Sequence, residues 1–159
     1  MKITVLCVGK LKEDFYRKAV LEYEKRLSRY CKLTILEVGD EKTPDFASAA
    51  LESQIKEKEG ERLLKKIPED AYVIALDIRG EELDSVQLSH RIEELGVNGK
   101  SNIVFLIGGS LGLSGPVLAR ADSKFSFSKL TFPHQLMRVI VLEQLYRSYR
   151  IMRHEPYHK

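Results

Sequence analysis

The stretch Asn102-Ile103-Val104-Phe105-Leu106-Ile107-Gly108-Gly109-Ser110-Leu111-Gly112-Leu113-Ser114-Gly115-Pro116 decides the fold. Its first part, Asn102 to Ile107, is a short run apolar on both faces, as buried parallel strands are. Glycines end the run, and Pro116 suits the first position of a short helix through Ala121. Upstream, Ala71 to Asp77 reads the same way as a buried strand. Between them, Asp84 or Ser85 can cap a helix to about Leu95 with Val86, Leu88, Ile92 and Leu95 inward. Gly96 is expected to end that helix, and Asn98-Gly99 to turn the chain.

The remainder repeats the alternation. Lys2 to Gly9 is a strand, and Leu11 to Tyr30 carries Phe15, Ala19, Tyr23, Leu27 and Tyr30 at helical spacing. Lys32 to Val38 is a second strand. Pro44 opens a charged helix to about Lys66, which Gly60 is expected to kink or split. Ser123 to Ser128 alternates polar and apolar residues, so it reads as a strand with one open face. Pro133 opens a last helix to about Met152. Strands alternating with helices imply an α/β protein, a mostly parallel sheet with helices on both faces. Residues 1–159 form a single domain, within the usual size of about 100–200 residues.

Composition narrows the classes. The 159 residues are 43% hydrophobic and 31% charged, with five Pro and ten Gly, which excludes a disordered or collagenous chain. No apolar run approaches the ~20 residues of a membrane helix. Met1 to Val8 is too short for a signal-peptide core, so a cytoplasmic protein is expected. Cys7 and Cys31 alone form neither a disulfide framework nor a zinc site. From Lys129 onward, Lys129, Arg138, Arg147, Arg150, Arg153 and Lys159 face only Glu143 and Glu155, a net +4 in a chain of net +3. A local basic patch of this kind is the footprint of nucleic-acid binding, or else a solvated helix end.

The last helix carries more apolar surface than one sheet requires. Val139 to Leu142 is apolar for a full turn, and Leu136, Met137, Leu145, Tyr146, Tyr149 and Met152 widen the stripe. A second copy of the chain is the expected cover, so a homodimer is expected. Gly108 to Gly115 lies where ligands bind in open parallel sheets, at a strand's carboxyl end. No dinucleotide fingerprint reads through it, and Gly99-Lys100-Ser101 lacks the leading glycine of a P-loop, Glu94 standing there. His154 and His158 are four apart, but Pro156 between them breaks the helix a metal pair needs, so no metal is expected. On the residues alone, two readings stay open. One is an enzyme acting on nucleic acid with a small cofactor; the other is a non-catalytic RNA-binding or ribosome-maturation factor.

Several motifs in order resemble the RlmH family of SPOUT-class methyltransferases. They are Ala75-Leu76-Asp77-Ile78-Arg79-Gly80, Phe105 to Gly112, Leu130-Thr131-Phe132-Pro133-His134-Gln135, Glu143-Gln144-Leu145-Tyr146-Arg147 and Pro156-Tyr157-His158-Lys159, with Val8-Gly9-Lys10 early. The resemblance spans essentially the whole chain, departing at Asp84-Ser85, where two small hydroxyl residues are usual. It implies S-adenosylmethionine-dependent methylation of N3 of a pseudouridine in 23S ribosomal RNA, on the assembled ribosome. A SPOUT methyltransferase acting on another RNA position is the alternative within the class. It further implies a C-terminal trefoil knot and a homodimer joined through the last helix. Matched position by position, the cofactor would contact Leu76, Gly108, Phe127, Ser128, Lys129, Leu130, Thr131 and Phe132. Deprotonating N3 calls for a base or a water relay. His134, Tyr157 and His158 are the candidates, and the tail residues Tyr157 and His158 are preferred as catalytic. Arg138, Arg147, Arg150 and Arg153 are the expected RNA-phosphate contacts.

Overall fold

The apolar runs become the middle of a sheet. The computed structural model describes residues 1–159. Strands β1 (Lys2–Val8), β2 (Lys32–Val38), β3 (Tyr72–Glu82), β4 (Asn102–Ile107) and β5 (Ser123–Ser126) alternate with helices α1 (Asp14–Leu27), α2 (Ala49–Leu64), α3 (Ser85–Val97), α4 (Gly115–Arg120) and α5 (His134–Met152). All strand pairs are parallel, in the order β2-β1-β4-β3-β5. Ile3 stands against Ile103 and Val5 against Phe105.

Alternation along the strands divides the core. Ile3, Val5, Cys7, Ile103, Phe105 and Ile107 face α1, α3 and α5, whereas Leu6, Val8, Val104 and Leu106 face α2 and α4. Successive strand side chains point to opposite faces, so both sides of the sheet are dry and a fully apolar strand is needed at its centre. No helix is long and apolar enough to cross a membrane.

Several boundaries differ from the sequence reading. Helix α1 starts at Asp14, and Phe15 is exposed. Helix α2 starts at Ala49, not Pro44, because the Ser48 hydroxyl accepts from the Leu51 N–H at 3.2 Å and caps it. Gly60 neither kinks nor splits this helix. It is buried where α4 crosses, and a β-carbon there would stand 2.3 Å from Ser114 Oγ and 3.1 Å from Val117 Cγ2. Close helix–helix approach, rather than helix breaking, explains the glycine. Helix α3 is closed at its start by an Asp84–Gln87 capping box and runs through Gly96 to Val97, with Val86 exposed. Strand β3 continues to Glu82, with a break in register against β5 between Leu76 and Glu81. Strand β5 stops at Ser126 rather than Ser128. Helix α5 ends at Met152, ahead of Pro156, and His154 reverses the chain with φ 53°.

The largest correction concerns Arg138. It is not a phosphate contact: its side chain is 1% exposed, the most completely buried cation of the chain. It donates to Glu37 Oε2 at 2.6 Å and to the Gly9 carbonyl at 3.2 Å, and its Nε has no partner. The pair bolts the first turns of α5 to the ends of β1 and β2.

Two substitutions check these assignments. Gly60→Val is expected to cost about 1–3 kcal/mol through overpacking against α4, read as a fall of several degrees in the melting midpoint. Arg138→Met is expected to destabilise the fold by about 1–3 kcal/mol in urea titrations, because it leaves the buried Gly9 carbonyl without its donor, while the half-exposed Glu37 carboxylate returns to water. A midpoint unmoved by the second change would mean that the ion pair holds nothing.

Candidate active site

Three chain segments converge at the carboxyl ends of the strands. The register break in β3, between Leu76 and Glu81, frees Asp77 to Gly80 from the ladder. The glycine stretch after β4 turns back on itself, the Gly112 N–H donating to the Gly109 carbonyl at 3.1 Å. A β-carbon on Gly108 would lie 2.8 Å from the Gly112 backbone, and Gly112 has φ 86°, so both positions require glycine. Beyond β5, the Ser126 hydroxyl donates to the Ser128 carbonyl at 2.9 Å and the Leu130 N–H to the Ser128 hydroxyl at 2.9 Å. That local bonding shapes the third segment.

Together they enclose a cavity of about 860 Å³, within the range of about 300–1,000 Å³ usual for small-molecule sites. Leu76, Gly108, Phe127, Ser128, Leu130, Thr131 and Phe132 line it; Lys129 alone of the expected cofactor contacts does not. The sequence reading missed Asp77, Ile78, Arg79, Leu111, Met137 and Lys56, which also line it. Asp77 and Arg79 lay within a motif already singled out. Lys56 carried no signal, since nothing in a helix sequence says which of its lysines overhangs a distant loop.

His134 opens α5 and lines the same cavity. Neither of its ring nitrogens hydrogen-bonds to another protein group. Burial, then the Arg138 charge, lower its pKa from the ordinary imidazole value, and Lys12 adds to this while Asp40 opposes it. Its Nε2 and the Asp40 carboxyl carbon lie 3.7 and 3.9 Å from the point where a β-carbon of Gly9 would stand.

The tail does not line this cavity. Tyr157 donates its hydroxyl to Glu143 Oε1 at 3.1 Å, packs edge-on against Tyr146 at 4.8 Å and lies under the Arg147 guanidinium at 4.7 Å. His158 Nδ1 is 3.3 Å from Arg147 Nη1. Arg147 is about 20 Å from His134 along α5, at 1.5 Å of rise per residue. Burial and the Glu143 carboxylate push the Tyr157 phenol up to about 12, so it stays protonated at neutral pH.

The C-terminal arginines are largely engaged. Arg147 is paired with Glu143, and Arg150 with Glu155 at 2.6 Å and with the Pro156 carbonyl at 2.8 Å. Arg153 makes no ion pair and lies over the Tyr30 ring at 5.2 Å. Beside them, Lys25, Arg26 and Arg29 of the α1 end join Tyr30 and Tyr146 in a second, smaller groove. Reading the C-terminal charge alone overlooked these three.

Comparison with known proteins agrees with the architecture. Residues 1–158 match the family model described as predicted SPOUT methyltransferase. The chain is 62% identical over 159 residues to the Ribosomal RNA large subunit methyltransferase H of Clostridium tetani, covering 100% of both chains. It is equally 62% identical, with the same full coverage, to the protein of that name from Bifidobacterium adolescentis. Among solved structures, a probable methylase family protein from Haemophilus influenzae Rd KW20 matches with TM-score 0.53 and 13% identity, over 96% of this chain and 66% of that one. TrmJ from Z. mobilis matches with TM-score 0.52 and 16% identity, over 100% and 73%. These two likenesses concern the fold. A parallel sheet with its glycine-turned cavity, and a family match from the first residue to the penultimate one, lead to one conclusion: the chain belongs to the SPOUT methyltransferase family.

Proposed function

We propose that this protein is an S-adenosylmethionine-dependent methyltransferase acting on N3 of a pseudouridine in 23S ribosomal RNA, in the cytoplasm and on the assembled ribosome. The observation that carries the reading is the glycine-turned cavity, in a chain 62% identical to proteins named Ribosomal RNA large subunit methyltransferase H. The lining suits the cofactor. Leu76, Ile78, Leu111, Leu130 and Phe132 offer apolar walls for an adenine, and Gly108 lets backbone approach it closely. The Asp77 carboxylate supplies negative charge for a sulfonium. The cofactor brings an activated methyl group, so the hard chemistry is its own. The chain's task is to hold the acceptor nitrogen in line with that methyl group and keep water out.

Convergence of the segments after β3, β4 and β5 on one cavity supports a trefoil knot in the C-terminal part. Partial burial of Leu136, Val139 and Ile140 on α5 supports a homodimer joined through that helix. In such a pair, Tyr157 and His158 of one protomer would complete the site of its partner, since the tail lies far from its own cavity. Tyr157 is suited to stack on a base, an effect worth about 1–3 kcal/mol. Arg147, Arg150 and Arg153 supply positive charge for RNA phosphates. Loops are where RNA sequence is read, so a ribosomal hairpin loop is the assigned substrate form.

Incubating the protein with labelled S-adenosylmethionine and either ribosomes or naked ribosomal RNA, then mapping the labelled base, tests the reading. Label at N3 of a pseudouridine, stronger on ribosomes, is expected; label nowhere refutes it. Deleting Tyr157, His158 and Lys159 is expected to abolish methyl transfer while cofactor affinity survives. Full activity after deletion removes the tail from the site. With Arg147, Arg150 and Arg153 on single-stranded RNA, log affinity is expected to fall against log salt with a slope of about −2. A salt-independent affinity rules that contact out.

A further inference from the structure

Methylating N3 leaves a proton to be placed, and the cavity holds few groups able to take it. Tyr157 stays a protonated phenol, and His158 is engaged by Arg147. Asp77 is paired with Arg79, 3.8 Å away. Lys56 is a cation. His134 is the one cavity-lining imidazole, and neither of its nitrogens has a protein partner. We propose that His134 is the proton acceptor of the reaction, resting this on the methyltransferase reading above.

Three features make the ring a base. It sits in the first turn of α5, where the helix dipole opposes a positive charge, so the neutral imidazole is favoured before reaction. Arg138, one turn further on, acts in the same direction. Asp40 lies on the Nε2 side, across Gly9, and attracts the imidazolium once it has formed. The charged groups facing the ring come from each neighbouring element: Lys12 after β1, Asp40 after β2, Arg138 on α5, with Asp77 and Arg79 of β3 and Lys56 of α2 across the cavity. Glu37 is paired with Arg138.

The step balances. The N3–H proton passes to a ring nitrogen of His134, and the N3 electron pair forms the new N–CH3 bond. The methyl–sulfur bond breaks with its pair on sulfur, turning the sulfonium into a neutral thioether. The imidazolium then returns its proton to solvent.

His134→Gln keeps polarity and similar bulk but does not titrate near neutrality. Single-turnover methyl transfer to ribosomes is expected to fall by at least about 100-fold, the usual worth of a positioned base. Calorimetric affinity for S-adenosylmethionine is expected to stay within about twofold, as it must if the ring serves the proton and not the pocket wall. The acidic limb of the wild-type rate profile, with its midpoint below the ordinary imidazole value of about 6.5, is expected to vanish in the variant. Free imidazole is expected to restore part of the rate to His134→Ala. A His134→Gln rate within about threefold of wild type overturns the proposal, since a working base contributes far more. So does loss of cofactor affinity in step with rate, which marks a wall residue. Wild-type protein that methylates neither ribosomes nor RNA overturns the functional reading itself, and this proposal with it.

Discussion

The structure depends on one ion pair, between a buried arginine and a half-exposed carboxylate. Arg138 lies within the fold, held by Glu37 at the end of β2 and by the Gly9 carbonyl just past β1. A buried guanidinium is tolerated only when paired, and breaking such a pair is far costlier than never having had it. This pair therefore ties the start of α5 to the floor of the sheet. His134 stands one helical turn earlier, and residues four apart share a face. The same anchor that orders α5 thus sets the imidazole over Gly9 and beside the cavity.

Helix α5 then serves both ends of the molecule. Its first turn closes the cavity, whereas its last turns carry Glu143, Arg147 and Arg150, which hold the tail against the helix flank. The two ends are separated by most of the length of the helix. The arginines that look like a phosphate comb also pin this tail. Arg153, with Lys25 and Arg29 at the end of α1, stays more open to an incoming polyanion, whereas Arg26 is paired with Glu22.

Glycine positions show what close approach demands. At Gly60 the gain is contact between α2 and α4; at Gly108 it is a backbone turn folded onto itself. Gly80 similarly sits 2.7 Å, measured from a notional β-carbon, from the Lys124 carbonyl where β3 passes β5. Only the absence of a side chain allows these three crossings, and Gly108 lines the cavity.

The sequence by itself determined the order of the elements, the parallel sheet and the glycine turn after β4. These follow from local information: apolar runs of strand length, helical spacing, and glycine where the chain must turn. The motifs also marked Leu76, Gly108 and Phe127 to Phe132, all but Lys129 on the cavity. Local information misjudged Gly60, because breaker and packing contact look alike until the neighbouring helix is in place. It misjudged Arg138 for a similar reason: an arginine in a basic segment reads as solvent-facing, and its partners Glu37 and Gly9 are more than a hundred residues away in sequence. The tertiary structure alone decided which cations are buried, which are pinned and which are free. Burial and pairing depend on distances between segments that no spacing along the chain encodes.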